Sequence, residues 1–304
     1  MAVFSFVSSS GDVPWSHLGV AVACVLGSAW AGCASSPADG EPVPDRASRQ
    51  AALRAASTFA VVLSRRAEAE DVDGLSLAIL DPDPYGLDDL PAFRQRGVLT
   101  LGYVNIGEIE DYRAFADRVD PTWVLGENPF WPGHQFVDAR QPGWQRLVTE
   151  HVAPQVIARQ FDGLFLDMAD VAAPGVFPET REGIVAIIQA LREAYPTHLI
   201  VMNRGLFLLD EVGEDIDGLL VEGVWARYDP ATGTYGRTPA PERDRLVAAL
   251  TDYRERFGGA PLVLDYADRA GLRAFAEAEA AEAGLPIFIS TLELADLAPP
   301  PHGG

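Results

Sequence analysis

The chain has 304 residues, of which 48% are hydrophobic and 22% charged, so it is long enough to bury a full globular core. Its formal net charge is −21, and a surface this acidic repels polyphosphate and argues against a nucleic-acid partner. All 23 basic residues are Arg. The acidity by itself is compatible with a neutral or cationic substrate, or with solubility alone.

The N-terminal residues have the pattern of an export signal. An apolar run at 18–33, LGVAVACVLGSAWAGC, has signal-peptide length and is too short to span a bilayer. Its WAGC ending resembles a bacterial lipobox, in which the Cys is lipidated, although Trp30 replaces the usual aliphatic residue and residues 1–32 contain no Arg or Lys. We predict a signal peptide over 1–32, lipidation at Cys33 and a flexible tether over 33–45. Ordinary secretion and a cytoplasmic location are the alternatives.

The cysteine count supports the same interpretation. Cys24 and Cys33 are the two cysteines, so cleavage before Cys33 would leave no thiol for a disulfide, a metal site or catalysis. The lipid anchor would be the one contact with the membrane.

From residue 46 the chain alternates apolar strand-like runs with amphipathic helical stretches. Most of the runs are continuously apolar, as expected of parallel strands that helices cover. The predicted strands are 58–64, 75–80, 98–105, 163–168, 198–203, 218–222, 261–266 and 286–290, and the clearest helical patterns are 142–160, 181–195, 241–257 and 269–284. This order predicts an α/β fold, a single-domain (β/α)8 TIM barrel over 46–295 with a C-terminal tail at 296–304. A doubly wound open sheet is the alternative, but the chain has no GxGxxG turn or P-loop.

Residues 106–141 interrupt the regular spacing. This segment is long, aromatic and rich in Pro and Gly. Loops of this length in compact domains are usually functional. Because it follows the third strand, it is expected on the C-terminal face of the barrel, where barrel active sites are built.

Polar residues gather at the C-terminal ends of the predicted strands. One Asp at such a position could be a helix N-cap. Asn, Glu and Tyr at the corresponding position of other strands instead favour a shared binding site at the rim of the barrel. The candidates that contact substrate are Asp81, Tyr103, Glu110, Arg113, Asp170, Asn203, Trp225, Asp265 and Tyr266, and the candidate catalytic residues are Asp167 and Glu222. Asp170 can instead cap the next helix, which is the role slightly favoured for it, and Arg113 can instead be a partner that shapes the loop through Glu108 or Glu110.

The residue types at this rim favour glycoside hydrolysis. His134, His151, His198 and His302 are not at metal-ligand spacing, and no nucleophile-elbow Ser motif is present, so we predict no metal and no other cofactor. Two opposed carboxylates can protonate a glycosidic oxygen and attack C1 or activate water. Aromatic rings suited to the apolar face of a sugar are Trp123, Trp131, Trp225, Tyr228 and Tyr266. A carboxylate-held Mg²⁺ or Ca²⁺ site is the remaining alternative.

Four segments together resemble one known family. They are GYVNIGEIEDYR, DGLFLDMAD, VMNRG and LLVEGVW, in this order. They are similar to glycoside hydrolase family 114, the endo-α-1,4-polygalactosaminidase family, and the likeness covers about residues 58–292. The resemblance implies a (β/α)8 barrel, endo-cleavage of α-1,4-linked galactosamine-containing polysaccharide and retaining chemistry. It also implies that Asp167 is the nucleophile and Glu222 the acid/base.

The sequence around the two carboxylates also leads to an expectation about the pKa of each. Glu222 lies in an apolar strand near Trp225, so we expect it to carry the raised pKa of a general acid. Asp167 has to stay ionised, with Asn203 or Tyr103 as hydrogen-bonding partners. A barrel that binds surface polysaccharide without catalysis is the competing function.

Overall fold

The computed structural model describes residues 44–295 and Leu297. Within this part of the chain, eight parallel strands form one sheet, and their order in the sheet is their order in the sequence. Numbered in chain order among all strands, they are β1 Phe59–Val62, β2 Leu77–Leu80, β3 Leu99–Asn105, β7 Gly163–Asp167, β8 Leu199–Asn203, β9 Gly218–Glu222, β12 Ala260–Tyr266 and β13 Ile287–Ser290. These are the eight predicted strands, so the prediction is confirmed.

The last strand returns to the first. Phe59 of β1 and Phe288 of β13 face each other with ring centroids 6.0 Å apart. The backbone N–H of Leu63, just beyond β1, donates to the carbonyl of Leu294 at 3.2 Å. The sheet therefore curls into a nearly closed barrel, which confirms the TIM-barrel prediction and rules out the open doubly wound sheet.

Alternation along the strands divides the apolar residues into two cores. Val61 and Ile79 point into the barrel, whereas Val62 and Leu80 point outward against the helices. The inner positions recur at every second residue, as the pleat requires. The same alternation decides which residues at the strand ends can face the barrel mouth.

The described helices cover the outside of the barrel. They are α1 Arg46–Ala55, α2 Pro91–Gln95, α3 Pro142–Arg146, α4 Ala153–Ala158, α5 Arg181–Ala194, α6 Leu209–Val212, α7 Ala240–Phe257 and α8 Ala270–Ala283. The helix predicted at 142–160 is divided, because a π-helical turn at Leu147–Val152 separates α3 from α4. An α-helix would press the Pro154 ring against the carbonyl of Glu150, which accounts for the wider turn.

Two insertions rise from the C-terminal rim, and neither was predicted as strand structure. The segment 106–141, expected as a loop, contains a three-stranded antiparallel sheet of β4 Glu108–Glu110, β5 Val124–Glu127 and β6 His134–Val137. A hairpin of β10 Ala226–Asp229 and β11 Thr234–Arg237 follows β9. These strands are short and mix polar with apolar residues, so their apolar pattern is too weak to read in the sequence.

Helix α1 lies against the opposite, N-terminal end of the barrel. Leu53 belongs to the inner core, and Arg49 binds the fully buried Asp217 at 3.1 Å. Arg192 binds the other Asp217 oxygen at 2.6 Å. The chain therefore enters the barrel on the face away from the strand ends that carry the candidate site.

The predicted signal peptide, Cys24, Cys33 and nearly all of the tether lie outside the described residues, as does most of the predicted C-terminal tail. None of the helices in the described part combines the length and apolarity that crossing a membrane requires.

Candidate active site

Three side chains at the ends of three neighbouring strands meet at the barrel mouth. Asp167, Asn203 and Glu222 are the last residues of β7, β8 and β9. Nδ2 of Asn203 donates to Oδ1 of Asp167 at 2.8 Å and to Oε1 of Glu222 at 2.6 Å. The two carboxylates predicted to oppose each other are therefore brought together, with one amide between them.

The backbone turns sharply after each of these residues. Met168, Arg204 and Gly223 follow the three side chains directly, and their φ angles are 64°, 58° and 67°. A residue in this left-handed region ends a strand at once, so the preceding side chain stays at the rim. Two of the three residues are not Gly, and for each of them the left-handed backbone conformation lowers the stability of the fold by about 1 kcal/mol.

The protonation of Asp167 is strongly affected by its surroundings. Burial raises its pKa to about 7, and the nearby charge of Glu222 adds to this effect. Hydrogen bonds from Asn203 and from the backbone N–H of Met168, at 2.8 Å, oppose the rise. Burial raises the pKa of Tyr103 well above its ordinary value, and the nearby charge of Asp167 adds to this effect. The raised pKa of Asp167 runs against the expectation that Asp167 stays ionised, because the burial of Asp167 outweighs its hydrogen-bond donors.

Glu222 is surrounded by hydrogen-bond donors. Tyr266, the last residue of β12, donates its hydroxyl to Oε2 at 2.8 Å. The guanidinium of Arg204 lies 3.6 Å from the same oxygen. Together with Asn203, these groups fix the orientation of the carboxylate.

Asn203 has one atom left unused. Its side chain is buried, with 4% of the residue exposed. Oδ1 has no hydrogen-bond partner among the described residues, because Nδ2 makes both contacts to the carboxylates. An unpaired buried acceptor is costly, so this oxygen is a ready contact for a donor on a bound ligand.

A second polar cluster lies beside the first, at the ends of β2 and β3. Arg113 bonds Asp81 at 2.9 Å, Asp83 at 2.8 Å and Glu110 at 3.3 Å. Its guanidinium also lies over the Tyr103 ring, 5.5 Å from the centroid. Burial lowers the pKa of Arg113, but Glu110 and Asp81 outweigh it and the pKa is raised. Arg113 therefore acts as the partner that shapes this part of the rim, and Asp81 and Glu110 are its carboxylates.

Asn105 connects the two clusters, and the candidate list omitted it. Its Nδ2 donates to the Tyr103 hydroxyl at 3.1 Å and to Glu110 at 3.4 Å. Asn105 lies opposite Asp167 in the β3–β7 ladder. The signal was available, because Asn105 ends its strand at the same position as Asp167 and Asn203.

Arg204 was also missed, and it clarifies Asp170. Asp170 lies in a one-turn 3₁₀ helix, Ala169–Ala172, and caps no helix, since the residues at the cap positions are Met168 and Thr180. Burial raises its pKa, the charge of Arg204 opposes this, and Glu222 adds to it. The preference for a capping role is therefore wrong, and Asp170 belongs to the electrostatic surroundings of Glu222.

Asp265 and Trp225 do not reach the cleft, which corrects their prediction as substrate contacts. Because Tyr266 points into the barrel, its neighbour Asp265 must point outward. There it accepts hydrogen bonds from the backbone N–H groups of Val224, Trp225 and Ala226, at 2.7, 2.9 and 2.7 Å. Trp225 is 2% exposed and packs between the barrel and its helices, so no ring face is free for a sugar.

The other candidate aromatic residues lie on the two insertions. Trp123 is half-buried and covers Gly143 at the start of α3, which gives it a packing role. Tyr228 pairs with Tyr235 across the β10–β11 hairpin, with centroids 5.1 Å apart. Trp131 is 44% exposed on the β4–β6–β5 sheet. Among the residues that the structure describes, no three His, Cys, Asp or Glu side chains are grouped so that they could hold a metal ion.

Comparison with known proteins gives consistent matches in sequence and fold. The sequence model of glycoside-hydrolase family GH114 matches residues 41–298. An uncharacterised protein of Deinococcus radiodurans is 26% identical over 267 residues, which cover 81% of this chain and 84% of the relative. The glycoside hydrolase domain of PelA from Pseudomonas aeruginosa superposes with a TM-score of 0.70 at 25% identity, covering 79% of this chain and 97% of that domain. Aspergillus fumigatus Ega3, solved with galactosamine, shares the fold at a TM-score of 0.64 and 12% identity, with 86% and 96% covered.

Proposed function

This chain belongs to glycoside-hydrolase family GH114, and from that membership we propose that it is an exported, endo-acting, retaining glycosidase whose catalytic pair is Asp167 and Glu222. The proposed substrate is an α-1,4-linked polysaccharide that contains galactosamine. The observation that carries the proposal is the contact of both carboxylates with one nitrogen of Asn203.

The separation of the carboxylates supports the retaining mechanism. Because the two oxygens bind the same nitrogen at 2.8 and 2.6 Å, they cannot lie farther apart than the sum of these distances. That upper bound falls within the separation of about 5–5.5 Å typical of retaining pairs and below the ~6.5–9.5 Å of inverting pairs.

The reaction we propose has two steps. In the first, a carboxylate oxygen of Asp167 forms a bond to C1 while the C1–O bond to the leaving sugar breaks and Glu222 gives its proton to that oxygen. In the second, Glu222 takes a proton from water, the water oxygen bonds to C1, and the bond to Asp167 breaks. Each turnover consumes one water molecule and returns both carboxyls to their starting protonation states.

The raised pKa of Asp167 bears on how the reaction begins. In the empty site the pKa of Asp167 is about 7, which favours its protonated form below that pH, whereas attack requires an ionised Asp167. A hydrogen-bond donor or an ammonium group bound beside Asp167 favours its ionised form. We infer that substrate binding moves the proton to Glu222.

The proposal that the substrate contains an amino sugar rests on the polar groups around Asp167 and Glu222. The unpaired Oδ1 of Asn203 can accept a hydrogen bond from an ammonium or hydroxyl group. It cannot donate a hydrogen bond to an acetyl carbonyl. The carboxyl groups of Asp167, Asp170 and Glu222 lie together at the mouth, and the chain is acidic overall. A cationic, de-N-acetylated unit is the sugar that these charges attract.

A polysaccharide panel tests the function. Partly de-N-acetylated α-1,4-galactosamine polymer is compared with its fully N-acetylated form and with other α-glucans, and new reducing ends and product lengths are measured. Wild type is expected to release oligomers, whereas Asp167→Asn and Glu222→Gln lose at least ~10³-fold in kcat. Tight binding with no cleavage would instead make the barrel a polysaccharide-binding protein. Loss of activity on chelation would indicate a carboxylate-held metal.

Chemical rescue by azide assigns the two roles. If Asp167 is the nucleophile, azide should restore Asp167→Gly with an inverted glycosyl azide, and Glu222→Gly with a retained one. The opposite pattern would exchange the roles. The proposed export is tested separately, by mass spectrometry of acylation at Cys33 and its loss in Cys33→Ser.

A further inference from the structure

A cluster of exposed aromatic rings lies on the β4–β6–β5 sheet, and the proposed reaction does not use it. His134 stands between Tyr112 and Trp131, with ring centroids 6.1 Å and 6.2 Å from the two rings. Tyr112 is 61% exposed and Trp131 44% exposed. Contiguous exposed apolar patches rimmed by polar residues often mark ligand or partner sites.

The cluster is held rigidly. His134 begins β6 and pairs with Glu110 of β4, and its Nδ1 lies 3.3 Å from Oε2 of the buried Glu108. The backbone N–H of His134 donates to the carbonyl of Trp131 at 3.1 Å, which closes the turn that carries the indole. The guanidinium of Arg113 lies 5.0 Å from the centre of the Tyr112 ring. Rings fixed in this way lose little conformational freedom when they bind a ligand.

The cluster lies on the Asp167 side of the catalytic pair. Glu110 lies opposite His134 in the small sheet and accepts a hydrogen bond from Asn105 at 3.4 Å, and Asn105 lies opposite Asp167 in the β3–β7 ladder. Burial lowers the pKa of His134, but Glu108, Glu110 and Asp167 outweigh it, so the charge of Asp167 reaches this ring. A polymer held at Asp167 can therefore continue over the cluster.

We propose that Tyr112, His134 and Trp131 form a distal subsite for another sugar unit of the polymer whose bond is cleaved at Asp167 and Glu222. This subsite rests on the proposed function. The flat rings suit the apolar face of a sugar, and the ammonium of an amino sugar can lie over the indole. The patch comprises three rings, far less than the ~1,000 Å² that a stable protein partner requires, which favours a sugar over a protein.

Dependence of activity on chain length tests the subsite. The probes are α-1,4-linked galactosamine oligomers of defined length, from dimer to octamer. In Trp131→Ala, kcat/KM is expected to fall about tenfold on the longest oligomers and to stay unchanged on the shortest that wild type cleaves. Tyr112→Ala should behave in the same way. An equal loss at every length, or no loss on the octamer, would overturn the proposal.

Tyr195→Ala is the matched control. Tyr195 makes a similar contact with His198, at 5.7 Å, but both precede β8 and so lie at the opposite end of the barrel. The Tyr195→Ala variant should show the same dependence of kcat/KM on oligomer length as the wild type.

Binding to the inactive Asp167→Asn protein separates this proposal from the proposed function. Quenching of Trp fluorescence by the octamer, absent in Asp167→Asn/Trp131→Ala, supports the subsite even if no polysaccharide is cleaved. Equal quenching by polylysine would show ionic attraction alone and overturn it.

Discussion

Asp167 and Glu222 share one hydrogen-bond donor, Nδ2 of Asn203. A shared donor keeps two carboxyl groups at a fixed distance although their like charges repel each other. Repulsion and burial together raise the pKa of Asp167 to about 7. Asp167 is therefore protonated at moderately acidic pH, and the proposed reaction needs this proton to pass to Glu222.

Activity should accordingly fall as the pH rises through about 7. Above that value the pair loses its last proton, and no acid remains for the leaving oxygen. The measurement is kcat/KM from pH 4 to 9, with unfolding monitored at each pH to exclude loss of structure. Activity that keeps rising to pH 9 would contradict a shared proton.

Asp167→Asn should stabilise the protein, and more so at high pH. The folded pKa of Asp167, about 7, lies above its ordinary value of 3.8, so the wild-type carboxyl costs nothing below pH 4. The loss of folding stability caused by this carboxyl grows as the pH rises from 4 to 7 and is constant above pH 7. Asn keeps the acceptor oxygen and removes the charge, so we expect a gain on the order of 2 kcal/mol at pH 8 and almost none at pH 4. Denaturant unfolding at the two pH values measures it, and an equal gain at both would refute the linkage.

Asp265→Asn should reduce kcat although the residue never touches substrate. Asp265 holds the turn 224–226, which directly follows Glu222 and Gly223, through three backbone N–H groups. An Asn side chain replaces one acceptor by an NH₂ group that faces a donor, so about 1–3 kcal/mol of stability is lost and Glu222 is displaced. We expect kcat to fall more than KM changes, at a temperature where the variant is folded. Asp252→Asn, on the exposed face of α7, is the control and should change neither.

Gly223→Ala should weaken the protein and its activity together. Gly223 has a φ of +67°, and an added Cβ would lie 3.1 Å from Cβ of Arg227. The strain of about 1–2 kcal/mol falls on the residue after Glu222, so the carboxylate moves. Gly271→Ala in α8 has open space and ordinary φ, and should keep or gain stability. Comparable melting temperatures for the two variants would show that the turn tolerates a side chain.

The eight barrel strands and the meeting of Asp167 with Glu222 could be predicted because they depend on local patterns. A continuous apolar run that ends in a polar residue is readable in one dimension, and parallel strands bring their C-terminal ends to one rim. That reasoning placed Asp167, Asn203, Glu222 and Tyr266 together, and they do meet. It failed for Asp265 because two adjacent strand residues cannot face the same side, a rule that the sequence alone could have supplied.

What the sequence by itself determined is the order of the elements, the fold and the residues that could act as acid and nucleophile. Only the tertiary structure decided which carboxyl carries the raised pKa, because burial and neighbouring charges depend on residues distant in the chain. It also decided that 106–141 folds into a small sheet, since its short strands become stable only when they pair with one another beside the rim. The tertiary structure also decided that Oδ1 of Asn203 has no hydrogen-bond partner, because this depends on which groups surround it in the folded protein.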